Sequence, residues 1–180
     1  MRFFGACGAG LLGLCLTTGC HQSEPAAPAT SRYEPGQIYL SHAQPRLPTI
    51  TLWVGDQELE TEVARRTVEI ATGMMYRTNM NAGEAMLFVF AHPDHRAFYM
   101  RNTLIPLSVA YLDPDGVILS IHDLQPKDET PVESTSNNVQ YALEVPRGWF
   151  AQHGIGPGAL VRTARGSFRE INWITLQPRR

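Results

Sequence analysis

The sequence predicts a mainly β fold: a compact, closed or nearly closed β-barrel-like single domain with two short helices. Apolar runs of strand length recur along the chain and are separated by turn residues, which is typical of an all-β domain. Only two stretches have helical spacing, and both are short. Residues 37–180 have the length of one ordinary domain, and no internal repeat is visible in them.

The first half of this domain begins with a predicted β-hairpin. Residues 50–54 and 57–63 alternate apolar side chains on either side of a two-residue Gly-Asp turn. Thr67 is a suitable cap for a short helix over residues 68–76. The next predicted elements are a strand at 85–90, a turn at 92–95 and a returning strand at 96–100.

The second half of the domain has clearer strand signals. Residues 107–112 and 117–122 are apolar runs around Asp-Pro-Asp-Gly, a turn sequence. A strand over 139–145 is predicted to end at Pro146. The remaining predicted elements are one or two helical turns at 147–154 and strands at 159–164 and 168–176.

The N-terminal end of the chain predicts a targeting segment. Arg2 gives a short positive start, residues 3–18 carry no charge, and Gly19-Cys20 ends the run. The run is short and Gly-rich for a transmembrane helix. Small residues before this cysteine resemble the lipobox of bacterial lipoproteins, which predicts a signal peptide over 1–19 and lipidation of Cys20. The alternative is a secreted or uncleaved chain without a lipid.

The next segment predicts a tether. Residues 20–36 are rich in Pro, Ala, Ser and Thr, which is typical of a disordered linker, and the folded domain then spans 37–180. Together these segments predict an exported lipoprotein that faces the periplasm and has the membrane as a partner through its N-terminal lipid. His21, rather than aspartate, after the cysteine favours the outer membrane.

The composition excludes several kinds of site. Cys7, Cys15 and Cys20 are the three cysteines, so the predicted domain contains no thiol. Cysteine nucleophiles, zinc-thiolate sites and redox pairs are therefore excluded. A formal net charge of −2 at pH 7 does not indicate a nucleic-acid partner. Neither a Gly-x-Ser-x-Gly elbow nor a phosphate-binding glycine loop occurs, and we predict no cofactor.

Several motifs occur in one order and at one spacing. They are GMMYR (73–77), GEAMLFVF (83–90), FYMRNTLIPL (98–107), YALEVPRGWFAQHGI (141–155) and GPGALV (156–161). Together they resemble the family called domain of unknown function 192 (DUF192), over about residues 50–162. The resemblance implies a compact β-rich fold in a family whose members are often exported, and it implies no function.

The chain departs from this family pattern at a few positions. Tyr99 replaces the usual tryptophan and Arg101 the usual lysine, and both changes are mild. Ser108 stands where the family has an aspartate, and Ala159 stands where a Gly-Asp turn is typical. Two candidate acids are therefore missing. Either this chain has lost an activity, or those acids are not catalytic.

The candidate ligand-binding residues are polar groups within the family-like motifs. Asn102 and Thr103 are typical of a bulge or turn. With Arg101 they could instead present donors at the mouth of a pocket. Glu144 lies on a largely apolar strand, where a carboxylate usually needs a partner. We expect Arg77 or Arg101 to supply that partner in a structural ion pair, with a ligand-binding or acid–base role left open.

A window rich in methionine offers a second kind of site. Every methionine after Met1 lies between residues 74 and 100, together with an H-x-x-H pair. Thioether and imidazole ligands suit Cu(I), so the candidate metal ligands are Met74, Met80, His92 and His95. Core packing is the favoured interpretation, because methionine fills cores flexibly and this H-x-x-H lies on a predicted turn.

These observations favour a non-enzymatic binding or accessory module of the cell envelope. Its partner would be an unknown small ligand or an envelope protein. The competing hypothesis is a small hydrolase or transferase that uses Glu144 with Arg77 or Arg101. A periplasmic Cu(I)-binding protein that uses the methionine and histidine window is the third hypothesis.

Overall fold

The computed structural model describes residues 37–171 and residue 173. The predicted signal peptide, the predicted lipidation site at Cys20 and the predicted tether over 20–36 lie outside these residues. Residues 172 and 174–176 of the C-terminal strand predicted at 168–176 also lie outside them. Within the described residues, no helix is long and apolar enough to cross a membrane.

The described residues form short helices and many strands. The strands are β1 (Thr49–Val54), β2 (Gln57–Ala64), β3 (Glu84–Asp94), β4 (Ala97–Phe98), β5 (Leu107–Leu112), β6 (Ile118–Leu124), β7 (Val132–Glu133), β8 (Val139–Pro146) and β9 (Val161–Thr163). The helices are α1 (Thr67–Thr72), α2 (Trp149–Gln152) and a 3-10 helix at Phe168–Glu170.

Most of the strands belong to one curled, mixed sheet in the order β6-β5-β8-β3-β2-β1-β9. β2 and β3 run parallel, so a crossover that carries α1 connects them. The sheet forms a half-barrel, and a bridge between Val117 and Leu160 joins its two edges at one point. β4 and β7 pair separately. The prediction of a mainly β, nearly closed domain with two short helices is confirmed.

The curled sheet is apolar on both faces. On β8, Tyr141, Leu143 and Val145 enter one hydrophobic core, whereas Ala142 belongs to the core of the opposite face. Glu144 shares the face of Ala142, because side chains alternate along a strand. Burial on both faces explains why β5 and β8 read as nearly continuous apolar runs. The face that carries Glu144 is called the second face below.

Two local predictions are wrong around β3 and at the C-terminal end. The turn predicted at 92–95 does not form there, because β3 continues to Asp94 with a shift in its pairing with β8. The returning strand at 96–100 is reduced to Ala97–Phe98. At the C-terminal end, Phe168 begins a 3-10 helix rather than a strand. Its ring packs edge-on against Tyr141, with 4.8 Å between ring centroids.

The predicted cap of the first helix is also wrong. Arg66, rather than Thr67, is the N-cap residue of α1. The Glu69 carboxylate accepts hydrogen bonds from the backbone N–H groups of Arg65 and Arg66. Burial of Glu69 acts to raise its pKa, but these bonds and the Arg66 guanidinium outweigh burial and lower it. The helix therefore begins at a charged capping box instead of a threonine cap.

Candidate ligand-binding site

A cavity of about 440 Å³ opens on the second face of the sheet. It lies between α1, the end of β3 and the segment that follows β3 in the chain. Its walls are mostly apolar and aromatic, and a few polar side chains interrupt them, which is usual for small-molecule sites. The lining includes the apolar residues Ile70, Met74, Phe88, Phe90 and Phe98 and the polar residues Thr103, His95, Arg96 and Glu144.

Glu144 is the buried acid of this cavity. Met86 on β3 and Val109 on β5 are its cross-strand neighbours, so apolar side chains flank it on both sides. Only 4% of the residue is exposed, and its Oε2 atom has no hydrogen-bond partner. Burial raises the pKa of Glu144 to about 8, because the apolar surroundings disfavour the charged form. The carboxyl group is therefore largely protonated at neutral pH while it lacks a partner.

Arg96 is the positive group of the cavity lining. Its backbone is fixed by two bonds with Ser134: the Arg96 N–H donates to Oγ at 3.0 Å, and the Ser134 N–H donates to the Arg96 carbonyl at 2.7 Å. The guanidinium lies over the Phe90 ring, 4.2 Å from the centroid, and Nη2 donates to the His92 carbonyl at 2.6 Å. Its Nε atom is buried and has no partner among the described residues.

The Asn-Thr pair forms a turn, as predicted. Asn102 has a φ of 57°, in the left-handed region that asparagine tolerates better than most residues. The Thr103 N–H donates to the Met100 carbonyl at 3.0 Å, and the Tyr76 N–H donates to the Asn102 carbonyl at 2.8 Å. Thr103 is buried and lines the cavity, whereas Asn102 does not.

The predicted pairing of Glu144 with Arg77 or Arg101 is wrong. Arg77 binds Glu62 instead, with Nη1 and Nη2 donating to the two carboxylate oxygens at 2.5 and 2.8 Å. Arg101 binds Glu129 at the surface, through Nε at 2.9 Å and Nη2 at 2.6 Å. Neither arginine lines the cavity. In the folded chain each arginine pairs with another acid, Arg77 with Glu62 and Arg101 with Glu129. The predicted strand pattern did not reveal these contacts.

Two of the four candidate metal ligands line the cavity. Met74 and His95 line the cavity, and Met74 also belongs to the hydrophobic core of the second face. Met80 packs against that core without lining the cavity, and His92 is exposed. Among the described residues, no group of three or more histidine, cysteine, aspartate or glutamate side chains could hold a metal ion.

Sequence analysis missed Arg96 and the aromatic walls of the cavity. Arg96 precedes Phe98 by two residues, a spacing that places both on one side of an extended segment. That spacing was the available signal. The aromatic residues Phe88 and Phe98 meet edge-on, with 4.9 Å between centroids, although ten residues separate them in the chain. A single sequence without strand pairing does not show that contact.

Ser108, where the family pattern has an aspartate, has a structural role in this chain. Its hydroxyl donates to Oδ1 of Asp123 at 2.6 Å and accepts the Gly148 N–H at 2.9 Å. The residue is buried and does not line the cavity. A side-chain acceptor at this position satisfies the backbone at the start of α2. This contact favours the interpretation that the missing acid is not catalytic.

Comparison with known proteins identifies the family of the chain. The family model of DUF192, described as an uncharacterized ACR, matches residues 50–163. The chain belongs to the DUF192 family. The match has nearly the boundaries of the resemblance found in the sequence, and it includes Glu144, Arg96 and the cavity walls contributed by β3. No curated protein matches the chain.

Solved structures of bacterial proteins share this fold. A protein of unknown function from Novosphingobium aromaticivorans DSM 12444 is 30% identical, with a TM-score of 0.61, and the match covers 78% of this chain and 99% of that one. A protein from Sinorhizobium meliloti 1021, described as a candidate transcription regulator, is 29% identical with a TM-score of 0.60. That match covers 65% of this chain and 93% of that one.

Proposed function

We propose that this DUF192 protein is an exported, lipid-anchored binding module of the cell envelope. The DUF192 domain binds a small ligand in the cavity of the second face. A binding or accessory role fits the described residues better than the predicted catalytic arrangement, because neither Arg77 nor Arg101 lines the cavity beside Glu144. The tether over 20–36 would hold the domain near the membrane that carries the lipid on Cys20.

The observation that carries the binding role is the unpartnered carboxyl group of Glu144. Buried polar groups in folded proteins nearly always have hydrogen-bond partners, and a buried orphan costs about 1–3 kcal/mol. A sheet position between Met86 and Val109 would accept an apolar residue without that cost. A ligand bound in this cavity of about 440 Å³ would supply the hydrogen-bond partner that the Glu144 carboxyl group lacks.

Thermal unfolding of the purified full-length chain in mild detergent tests the binding role. The panel contains amines, amino acids, carboxylates, phosphate, sugars, cell-wall fragments and envelope proteins. A ligand at a hundred times its Kd stabilises by about 2.7 kcal/mol, which shifts Tm by several degrees. We expect a shift from a small ligand that is lost in Glu144→Ala and retained in Glu129→Gln, an exposed acid. Retention of the shift in Glu144→Ala would contradict the proposal.

The lipid anchor has a separate test. Cells that express the chain are labelled with a radioactive fatty acid, and the label is followed on the protein. We expect labelled, membrane-bound protein for the parent chain and unlabelled protein for Cys20→Ser. Equal labelling, or none in either chain, would contradict lipidation at Cys20.

The enzymatic alternative has one specific observation in its favour. A carboxyl group with a pKa of about 8 is suited to general acid–base catalysis near neutral pH. However, Arg77 and Arg101 lie away from the cavity with their own carboxylates, so neither steadies an anion beside Glu144. Turnover of a substrate that is abolished in Glu144→Gln, with folding intact, would favour the enzyme.

The Cu(I) alternative rests on fewer residues than the sequence offered. Of the candidate ligands, Met74 and His95 line the cavity, whereas Met80 and His92 do not. Stabilisation by Cu(I) and Ag(I), lost in Met74→Leu and His95→Ala, would favour this alternative over an organic ligand.

A further inference from the structure

Two buried side-chain atoms of the described residues lack a hydrogen-bond partner, and they belong to two residues that line the same cavity. They are Oε2 of Glu144 and Nε of Arg96. Every other buried side-chain N or O atom in the described part of the chain has a partner. Since unpartnered buried atoms are rare in folded proteins, their occurrence in two residues that line one cavity points to a common cause.

The two groups are of opposite type and do not pair with each other. No ion pair within 4.0 Å joins Arg96 to Glu144, although both residues line the cavity. The Arg96 guanidinium is held in one position, because it stacks on the Phe90 ring and its Nη2 donates a hydrogen bond to the His92 carbonyl. The cavity lining therefore contains a preorganised cationic group and a buried acid.

The rest of the cavity lining is mostly apolar. Phe88, Phe98 and Ile70 contribute aromatic and aliphatic surface, and Met74 adds a flexible thioether side chain. Such a wall favours the methylene or aromatic part of a ligand and disfavours additional polar groups. A ligand of this cavity thus needs a donor at one end, an acceptor at the other end and an apolar middle.

We propose that the cavity binds a small zwitterion whose ammonium group meets Glu144 and whose carboxylate meets Arg96, with an apolar chain between them. An ω-amino acid is the simplest member of this class. Charge-assisted hydrogen bonds are about twice as strong as neutral ones, so an ammonium group compensates a buried carboxylate better than an amide or hydroxyl does. This inference rests on the proposed binding function and specifies its ligand.

Ligand binding should also change the protonation state of Glu144. The empty site holds a neutral Glu144 carboxyl group, and the bound ammonium group favours the carboxylate, so binding releases a proton to solvent. The other titratable or charged groups that line the cavity are His95, Arg96 and Tyr99, and the Tyr111 side chain lies near Glu144 from β5.

Isothermal titration calorimetry of the full-length chain tests the ligand class. The probes are 6-aminohexanoate, hexylamine without the carboxylate, and hexanoate without the ammonium group. Each titration is performed in two buffers that differ in ionisation enthalpy, which counts the protons released. We expect 6-aminohexanoate to bind at least about tenfold more tightly than either single-group probe, with proton release. The series from 4-aminobutanoate to 8-aminooctanoate should then show an optimum chain length.

The variants identify the two ends of the ligand. Arg96→Met should reduce the affinity for 6-aminohexanoate to that for hexylamine and leave hexylamine unchanged. Glu144→Gln should reduce the affinity for both and abolish proton release. Arg96→Lys keeps the charge and serves as a second variant if Arg96→Met fails to fold. Arg101→Met is the matched control, because Arg101 lies outside the cavity, and it should change nothing.

The outcomes separate this inference from the proposed function. If hexylamine binds as tightly as 6-aminohexanoate and requires Glu144, the cavity binds a ligand but the two-ended class is overturned. If no probe in the series binds, the ligand class is overturned, and the wider thermal panel decides on binding itself. If 6-aminohexanoate binds equally well to Arg96→Met, the role of Arg96 is overturned.

Discussion

Two buried glutamates occupy one row of the sheet and have opposite surroundings. Glu62 on β2 and Glu144 on β8 both pair with Met86 on the strand between them, so they lie about 9–10 Å apart across two strand spacings. Glu62 accepts two bonds from Arg77 and one from the Leu47 N–H at 2.7 Å. Glu144 forms no ion pair with a described residue, and one of its oxygens has no partner.

The difference arises from what covers the sheet rather than from the sheet itself. The segment after α1 brings Arg77 onto Glu62, whereas a cavity remains over Glu144. The same residue type on the same face therefore stabilises the fold at one position and remains available to a ligand at the other. A buried acid that lacks a partner and lines a cavity is a candidate functional group.

Breaking the pair at Glu62 should have the largest effect. Arg77→Met leaves the Glu62 carboxylate buried without its bidentate partner, and we expect a loss of about 3–5 kcal/mol in the free energy of unfolding. Urea denaturation measures it. The double variant Glu62→Gln/Arg77→Met should recover part of the loss, because it removes the uncompensated charge. An unchanged midpoint in Arg77→Met would show that the pair does not contribute to stability.

Replacing Glu144 should change the pH dependence of stability. The folded pKa of about 8 exceeds the unfolded value near 4.3, so the folded state binds more protons between these values. Its contribution is fully present below about pH 4 and is lost as the pH rises through 8, by on the order of 3 kcal/mol between pH 5 and 8. Glu144→Gln should remove this dependence. Parallel pH profiles of the parent and the variant would refute it.

A third buried polar group extends the comparison. The Ser108 hydroxyl forms hydrogen bonds with Asp123 and with the Gly148 N–H. The Glu62 carboxylate likewise has its partners within the protein, in Arg77 and the Leu47 N–H. Ser108→Ala should cost about 1–3 kcal/mol, because it leaves the Gly148 N–H without this acceptor. Ligand affinity should be unchanged, since Ser108 lies outside the cavity. Thermal unfolding and calorimetry on one preparation check both expectations.

The smallest effect is expected at the surface. Arg101 and Glu129 form an exposed pair, and such pairs contribute little after solvent screening. Arg101→Ala should therefore leave the unfolding midpoint and ligand affinity unchanged within error. A marked loss of ligand affinity in Arg101→Ala would move the site toward Arg101, Asn102 and Thr103, the alternative ligand-binding position considered from the sequence.

The fold was predictable because local signals agreed with the tertiary structure. The Gly-Asp turn of the first hairpin produces a register in which Val54 pairs with Gln57, and Gly55 has the positive φ of 60° that this turn needs. The predictions failed where contacts between residues far apart in the sequence determine the local structure, as at Phe168 and at the end of β3. An aromatic cluster or a shifted pairing leaves no periodic signal in a single sequence.

The site was only half predictable. Glu144 was recognisable because a carboxylate on an apolar strand is unusual, and Thr103 because of its turn chemistry. The partners were not recognisable, since sequence spacing does not show that Glu62 lies beside Arg77 or that Arg96 lines the cavity with Glu144. An absent partner is a property of packing, and it appears only when the strands are placed side by side.

The most direct test of this account is the ionisation of the Glu144 side chain in the ligand-free protein. Carboxyl carbon chemical shifts are followed by nuclear magnetic resonance across the pH range, and the Glu144→Gln variant assigns the signal. We predict a midpoint near pH 8, which falls when a cationic ligand occupies the cavity. A midpoint in the ordinary range of glutamate, near 4.3, would contradict a buried and unpartnered acid, and with it the proposed site.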